Sequence, residues 1–435
     1  MKLLYANDRR GEYPPSVYAD TCTALDRQPA LKGETRADVA VVGGGYTGLS
    51  AALHLARVGR DVVLVDAHRV GFGASGRNGG QIGSGQRQEV DWLESRFGRD
   101  TARRLWVLAE DAKALVRSLA GEADVPIRDG VAHACRSAAE VDHAAWMAAH
   151  LAAHYDYDKV QPLDRDGMVA QLGSKAYAGG DVDWGAGHVQ PLNLALGMAR
   201  LAMAAGVRIH EGTHVHRIEH GTATSKSRVL CDTGRIVCDH VILAGNGYQG
   251  RLDGRVAARV MPINNYIVAT EPLDRDFPEI LPRNIAAADT KFVVNYWRLD
   301  DDRRLIFGGG ETVRYRFPKD IAALVRPHLL SVYPQLRHVR ITHAWGGTLA
   351  ITMNRMPHFA RPAPNCLSAG GYSGHGVALA TLAGKLMADA VAGQSDGFDA
   401  MAAIPSRPFP GGSMLRSPLL VAGMAWYGLR DRLGF

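Results

Sequence analysis

The chain has too few cysteines, too widely spread, to be cross-braced by disulfides or to hold zinc. Cys22, Cys135, Cys231, Cys238 and Cys366 are odd in number, and no Cys-x-x-Cys pair occurs. It also lacks any apolar run of about 18 residues, so no membrane span is expected. The longest candidate, residues 418–429 (PLLVAGMAWYGL), is too short and reads as a packed C-terminal helix. The first residues, MKLLYANDRRGEYPP, become charged too early for a secretory signal, and cytoplasm is the expected compartment. A net charge of +6 comes without a basic tract: the cations are interleaved with acids, so nucleic acid is not an expected partner. There is no Gly-x-Ser-x-Gly elbow and no Walker-type lysine, which leaves hydrolase and ATPase chemistry unsupported.

Glycine, by contrast, is abundant. The 49 glycines exceed the usual share and fall in short clusters, where backbone must approach something closely. A chain of 435 residues exceeds what one core usually organises, so two domains are expected. Residues 1–36 read as an irregular arm. Ala37–Val42 and Asp61–Asp66 read as buried parallel strands around a helix from Leu49 to Val58, the start of a βαβ unit. Residues 100–155, rich in alanine at helical spacing, read as helices of a second domain or an insertion. Asn193–Ala205 reads as a helix leading into a run of strands. Alternating segments from Val260 to Phe307 predict a mostly antiparallel sheet, and Val377–Val391 a late helix. The expected class is α/β plus α+β: a discontinuous Rossmann-type domain (37–95, 160–255 and 345–435) interrupted by a substrate domain (96–159 and 256–344).

The turn Gly43-Gly44-Gly45-Tyr46-Thr47-Gly48 satisfies Gly-x-Gly-x-x-Gly, a weak signal alone. Its context strengthens it: a strand precedes, a helix follows, and Asp66 ends the next strand. Gly43 allows the tight turn, Gly45 lets backbone approach a pyrophosphate, and Gly48 lets helix and strand pack closely. The helix start offers free N–H groups to phosphate, and Asp66 would accept hydrogen bonds from ribose hydroxyls. This dinucleotide signature does not separate NAD from FAD.

Two further clusters do. Gly71–Gln81 reads GFGASGRNGGQ, and Ala369–Gly376 reads AGGYSGHG at the opening of a helix. With the first turn, these resemble the D-amino-acid-oxidase-like superfamily of FAD-dependent oxidoreductases, over nearly the whole chain. Within it, GASGRNGGQ, GHVQPLNLALGMAR (Gly187–Arg200), INNYIVATEPL, WGGTLAITMNRMPHFAR and the terminal MAWYGLRDRL are most similar to the gamma-glutamylputrescine oxidoreductase branch. The resemblance implies that Gly43, Gly45, Tyr46, Thr47 and Gly48 hold the pyrophosphate of FAD and Asp66 its ribose. Ala74, Ser75, Arg77, Asn78, Gly79 and Gly80 would line phosphate and flavin ring, Val215 would meet adenine, and Gly245 would close over the dinucleotide. Gly371, Tyr372, Ser373, Gly374, His375 and Gly376 would lie under the pyrimidine edge. There, a helix start favours the negative charge of reduced flavin. The family's sarcosine oxidase carries a flavin-linking cysteine near the segment matching Trp345–Thr352. None is present here, so non-covalent FAD is expected. A lysine that clamps substrate carboxylate just after GHG in that enzyme is replaced by Val377-Ala378, which leaves room for a longer amine.

The implied reaction is oxidation of an amine or amino-acid C–N bond by hydride transfer to flavin N5, the imine then being hydrolysed. Gamma-glutamylputrescine or a related polyamine derivative is the expected substrate, with oxygen or another acceptor reoxidising the flavin. A D-amino-acid or N-methyl-amino-acid oxidoreductase is the alternative within the same chemistry. A FAD-binding subunit that needs partner chains is the alternative outside it. Tyr266, Tyr296, Trp297 and Trp345 are candidates for an aromatic substrate cage, with packing in the sheet as the competing role for each. Arg298 is a candidate for an anionic substrate group, and no acid or base residue is assigned. His210, His214, His216 and His220 lack a completing carboxylate or cysteine, so no metal is expected.

Overall fold

The computed structural model describes residues 3–410 apart from 223, 251, 274–275 and 313–314; the helix expected at 418–429 lies outside them. Two sheets organise the chain. The first runs, in spatial order, His358–Ala363, Cys366–Gly370, Gly234–Leu243, Gly33–Val42, Val62–Val65 and Arg208–His210. Gly33–Val42 pairs in parallel with both Gly234–Leu243 and Val62–Val65. Covered on both faces at its C-terminal end, this central strand is apolar from Val39 to Val42: Val39 and Val41 enter one core while Ala40 and Val42 enter another. Val215–Glu219 and Ser227–Cys231 extend the sheet as an antiparallel ribbon.

The helices Tyr46–Arg57, Arg99–Glu122, Pro191–Ala204 and Gly376–Val391 form one layer beside this sheet and share its larger core. Gly384 lets the last of them lie directly on the first: a Cβ there would sit 2.2 Å from the Thr47 carbonyl oxygen.

The second sheet runs Ile341–Ile351, Met261–Pro272, Arg304–Thr312, Tyr296–Leu299, Ala286–Asp289, Ile127–Cys135, Gly179–Val189 and Gln81–Ile82. Its pairings are antiparallel except between Ala286–Asp289 and Ile127–Cys135, as the alternating pattern implied. Helix Ala138–Tyr155, opened by a Ser137–Glu140 capping box, packs on it.

The expected segment boundaries shift in five places. The arm 1–36 is not wholly irregular: it holds a short helix, Val17–Thr21, and the first strand already begins at Gly33. Val160–Leu163 and Gly179–Val189, expected in the cofactor domain, hydrogen-bond in the second sheet, as do Gln81–Ile82 and Trp345–Ile351. Helix Arg99–Glu122, expected with the substrate domain, instead buries Ala102, Leu105, Ala109, Ala112 and Val116 in the core of the cofactor side. Helical spacing reveals an apolar face but not which sheet that face meets. No described helix is long and apolar enough to cross a membrane.

Candidate active site

A cavity of about 1440 Å³ runs between the C-terminal ends of the parallel strands and one face of the second sheet. Its first arm is a groove beside the first glycine turn. The chain leaves Val42 through Gly43, whose φ of +114° favours glycine. A Cβ on Gly48 would lie 1.8 Å from the Gly43 carbonyl oxygen, so only glycine lets the helix begin this close to the turn. Helix Tyr46–Arg57 starts at Gly45 with no side-chain cap, and the Tyr46 N–H donates to Ser75 Oγ at 3.0 Å. The first turn therefore presents N–H groups and positive dipole to the groove. Asp66 stands beside it, its carboxylate accepting from the N–H groups of Gly44 and His68 at 2.7 Å each. Burial raises its pKa to about 6 despite those bonds. Val215 and Gly245 line the same arm.

The leading arm of the chain also borders this groove. Leu3 and Leu4 line it, and Asp8 pairs with Arg77 at 3.0 Å. Arg77 is almost wholly buried, donating to the carbonyls of Phe72 at 2.6 Å and Gly346 at 3.0 Å, so its guanidinium fixes the loop. Asn78 does the same locally: its amide donates to Ala74 and Ser75 and its oxygen accepts from the Gly80 N–H at 2.7 Å. Gly80 itself lies behind the cavity wall, at φ +77°.

The second glycine cluster meets the first. Tyr372 Oη and Thr47 Oγ1 are 2.7 Å apart, and the Gly371 N–H donates to Asn246 Oδ1 at 2.9 Å. Ser373 and Gly374 both turn through positive φ, and helix Gly376–Val391 begins at His375 with no side-chain cap. Tyr372, Ser373, Gly374, His375 and Gly376 face the cavity, with Gly371 just behind them. Burial, with Arg87 nearby, lowers the His375 pKa to about 4, so its ring is neutral near pH 7. The groove thus has two uncapped helix ends, a buried carboxylate and backbone at glycine-only distance, an arrangement that fits FAD.

Beyond the second helix start, the cavity opens over the second sheet. Of the aromatic cage candidates, only Tyr296 lines it. Tyr296 lies against Gly79 and Gly308, where any Cβ would strike its ring, and its hydroxyl donates to Asn265 Oδ1. Trp297 is core: it lies between Tyr177 and Phe307, and its indole N–H donates to Tyr333 at 3.0 Å. Trp345 donates to the Arg77 carbonyl at 3.1 Å and packs on Tyr18; Tyr266 is buried against Phe317. Arg298 is also buried behind the wall, donating to the carbonyls of Gly79 at 2.9 Å and Leu299 at 3.1 Å. The period-two alternation of a strand explains this division, because neighbours such as Tyr296 and Trp297 face opposite sides of the sheet.

Sequence reasoning missed several polar residues on the cavity wall. Glu311 lies opposite Asn265, and burial raises its pKa while Arg355 and Arg87 oppose the shift. Asp183 accepts from Ser84 and Tyr157 hydroxyls, and buried Lys113 donates to the same two groups at 2.6 and 3.0 Å. His133 donates through Nδ1 to Asp181 at 2.8 Å. The visible signal was alternation: Val131, His133 and Cys135 recur at period two, as do Asp181 and Asp183.

The FAD-dependent oxidoreductase family profile named DAO matches residues 38–390. "Probable oxidoreductase OrdL" of Rhizobium meliloti (strain 1021) is 43% identical over 411 residues, covering 93% of this chain and 94% of that protein. Gamma-glutamylputrescine oxidoreductase of Escherichia coli (strain K12) is 38% identical over 432 residues, covering 97% and 99%. Among solved structures, glycine oxidase from Geobacillus kaustophilus superposes with a TM-score of 0.69 at 22% identity, covering 82% of this chain and 95% of that one.

Proposed function

The chain belongs to the DAO family of FAD-dependent oxidoreductases, and from that premise we propose that it oxidises the primary-amine C–N bond of gamma-glutamylputrescine or a closely related polyamine derivative. Bound FAD would supply the acceptor for the hydride on the carbon next to the amine nitrogen. The residues of the chain hold and orient. The first-turn N–H groups after Gly45 and the Asp66 carboxylate would bind the dinucleotide, and the helix start at His375–Gly376 would direct positive potential at the ring edge. Tyr296, held by Gly79, Gly308 and Asn265, walls the space where the amine is placed. An amine donates hydride only when unprotonated, and apolar walls favour that neutral form by desolvation. With no cysteine in Trp345–Thr352, the flavin is expected to come free on acid precipitation.

The observation that carries the substrate reading is the extent of the cavity. Past Tyr296 it continues across three more strands, by way of His133 to Asp181, far more room than a small amino acid needs. The similarity to an enzyme named for gamma-glutamylputrescine supports the same choice. Product analysis tests it. The purified protein is incubated with gamma-glutamylputrescine, putrescine, sarcosine and D-amino acids, and aldehyde and ammonia are measured. Release from the glutamyl amine at the highest kcat/KM is expected; a clear preference for an amino acid would overturn the substrate and leave the family intact.

A further inference from the structure

The cavity face of the second sheet carries one continuous cross-strand row. Ile267 lies opposite Gly308, Gly308 opposite Tyr296, Tyr296 opposite Ala288, Ala288 opposite His133, and His133 opposite Asp181. Residues directly opposite one another share a face. At about 4.8 Å per strand, His133 stands roughly 10 Å from Tyr296 along this floor. The cavity lining includes small and apolar residues suited to an alkyl chain: Ala288 and Val131 from the sheet, Met147 and Leu151 from helix Ala138–Tyr155. That is a channel for a methylene chain, ending at a charged group.

The group at its end is preorganised. His133 is half-exposed although it lies inside the cavity, so its ring projects into the open space. Nδ1 is committed to the nearly buried Asp181 carboxylate at 2.8 Å, and Nε2 has no hydrogen-bond partner among the described residues. Burial by itself would lower its pKa, but Asp181, with Asp183 and Glu89, raises it to about 9. An imidazolium therefore offers one N–H to the cavity near neutral pH, with carboxylates beside it.

We propose that His133, oriented by Asp181, is a specificity-determining residue that receives the carboxylate of an amino-acid head at the far end of the amine substrate. The adjacent, more exposed Glu89 carboxylate suits the ammonium of the same head. This assignment rests on the proposed amine reading and adds to it: the enzyme distinguishes a glutamyl amine from a plain acyl amine of equal length.

The test compares gamma-glutamylputrescine with N-butanoylputrescine, which keeps the chain and loses the head. Steady-state kinetics with the FAD-loaded protein are joined by calorimetric Kd values for the reduced enzyme. Wild type is expected to favour the glutamyl amine by about 10- to 100-fold, the size of one charge-assisted hydrogen bond. His133→Leu should erase that preference through KM and Kd, leaving kcat and the N-butanoylputrescine values nearly unchanged. His133→Gln, which keeps a donor but no charge, should restore part of it, and Asp181→Asn should weaken it. A preference in wild type that survives in both His133 variants overturns the assignment and leaves the proposed function standing. Turnover of D-amino acids alone, with neither putrescine derivative accepted, overturns both.

Discussion

Thr47 and Tyr372 are separated by most of the chain, yet their hydroxyls lie 2.7 Å apart and join the first cofactor motif to the last. Both residues are largely buried at the cavity wall, where few other partners are at hand for either hydroxyl. Tyr372→Phe should destabilise the protein by about 1–3 kcal/mol, because Thr47 Oγ1 is left unsatisfied. Thr47→Val added to Tyr372→Phe should cost less than the sum of the two single changes. Urea denaturation of the four proteins measures the coupling.

The glycines of the first turn differ in what they tolerate. At Gly48 an added Cβ would meet the Gly43 backbone at 1.8 Å, whereas at Gly45 it would meet the Ser75 hydroxyl at 2.8 Å, a group that can rotate. Gly48→Ala is therefore expected to lose both fold and flavin. Gly45→Ala should keep its circular dichroism and lose flavin, because the added carbon enters the space proposed for pyrophosphate. Flavin absorbance per chain, read beside the far-ultraviolet spectrum, separates the two.

Acidification should release FAD through Asp66. Its folded-state pKa, raised by burial to about 6, lies above the usual carboxyl value. The carboxylate is thus the dominant form only above pH 6, and the apoprotein holds the proton progressively as pH falls through that value. Ribose hydroxyls donate to the ionised form, so FAD affinity should weaken about tenfold or more as pH falls through 6. Asp66→Asn should bind FAD weakly at every pH and show a flat profile. Fluorescence titration of the apoprotein with FAD from pH 5 to 8 gives both curves.

Adjacent residues of one strand should separate structure from catalysis. Trp297→Phe removes the hydrogen bond to Tyr333 in the core and should lower stability by about 1–3 kcal/mol with kcat/KM unchanged. Tyr296→Phe frees Asn265 on the cavity wall and should change KM or kcat with a smaller effect on melting. Thermal melts and steady-state kinetics on both variants check the division.

The parts of this molecule that are local in sequence were legible there. The strand–turn–helix, expected from Ala37 to Val58 and found from Gly33 to Arg57, the turn at Asp66 and the helix start at Gly376 each follow, apart from the polar first residues of the strand, from glycine placement and apolar patterning within a short window. The assignments that failed were those requiring knowledge of which faces meet. An aromatic run such as Tyr296-Trp297 announces a strand but not which of its faces is the cavity. Helix Arg99–Glu122 shows an apolar stripe that fits either sheet, and Gly384 has no local sign of its contact with Thr47. His133 and Asp181 sit in unremarkable alternating segments, and only strand pairing brings them together.

The most direct test of FAD-dependent amine oxidation is an anaerobic absorbance scan of the purified protein as gamma-glutamylputrescine is added. The account predicts a yellow protein whose flavin bands bleach with the glutamyl amine and return on admission of an electron acceptor. A colourless protein that binds no added FAD would contradict it, as would flavin bands that no amine or amino acid bleaches.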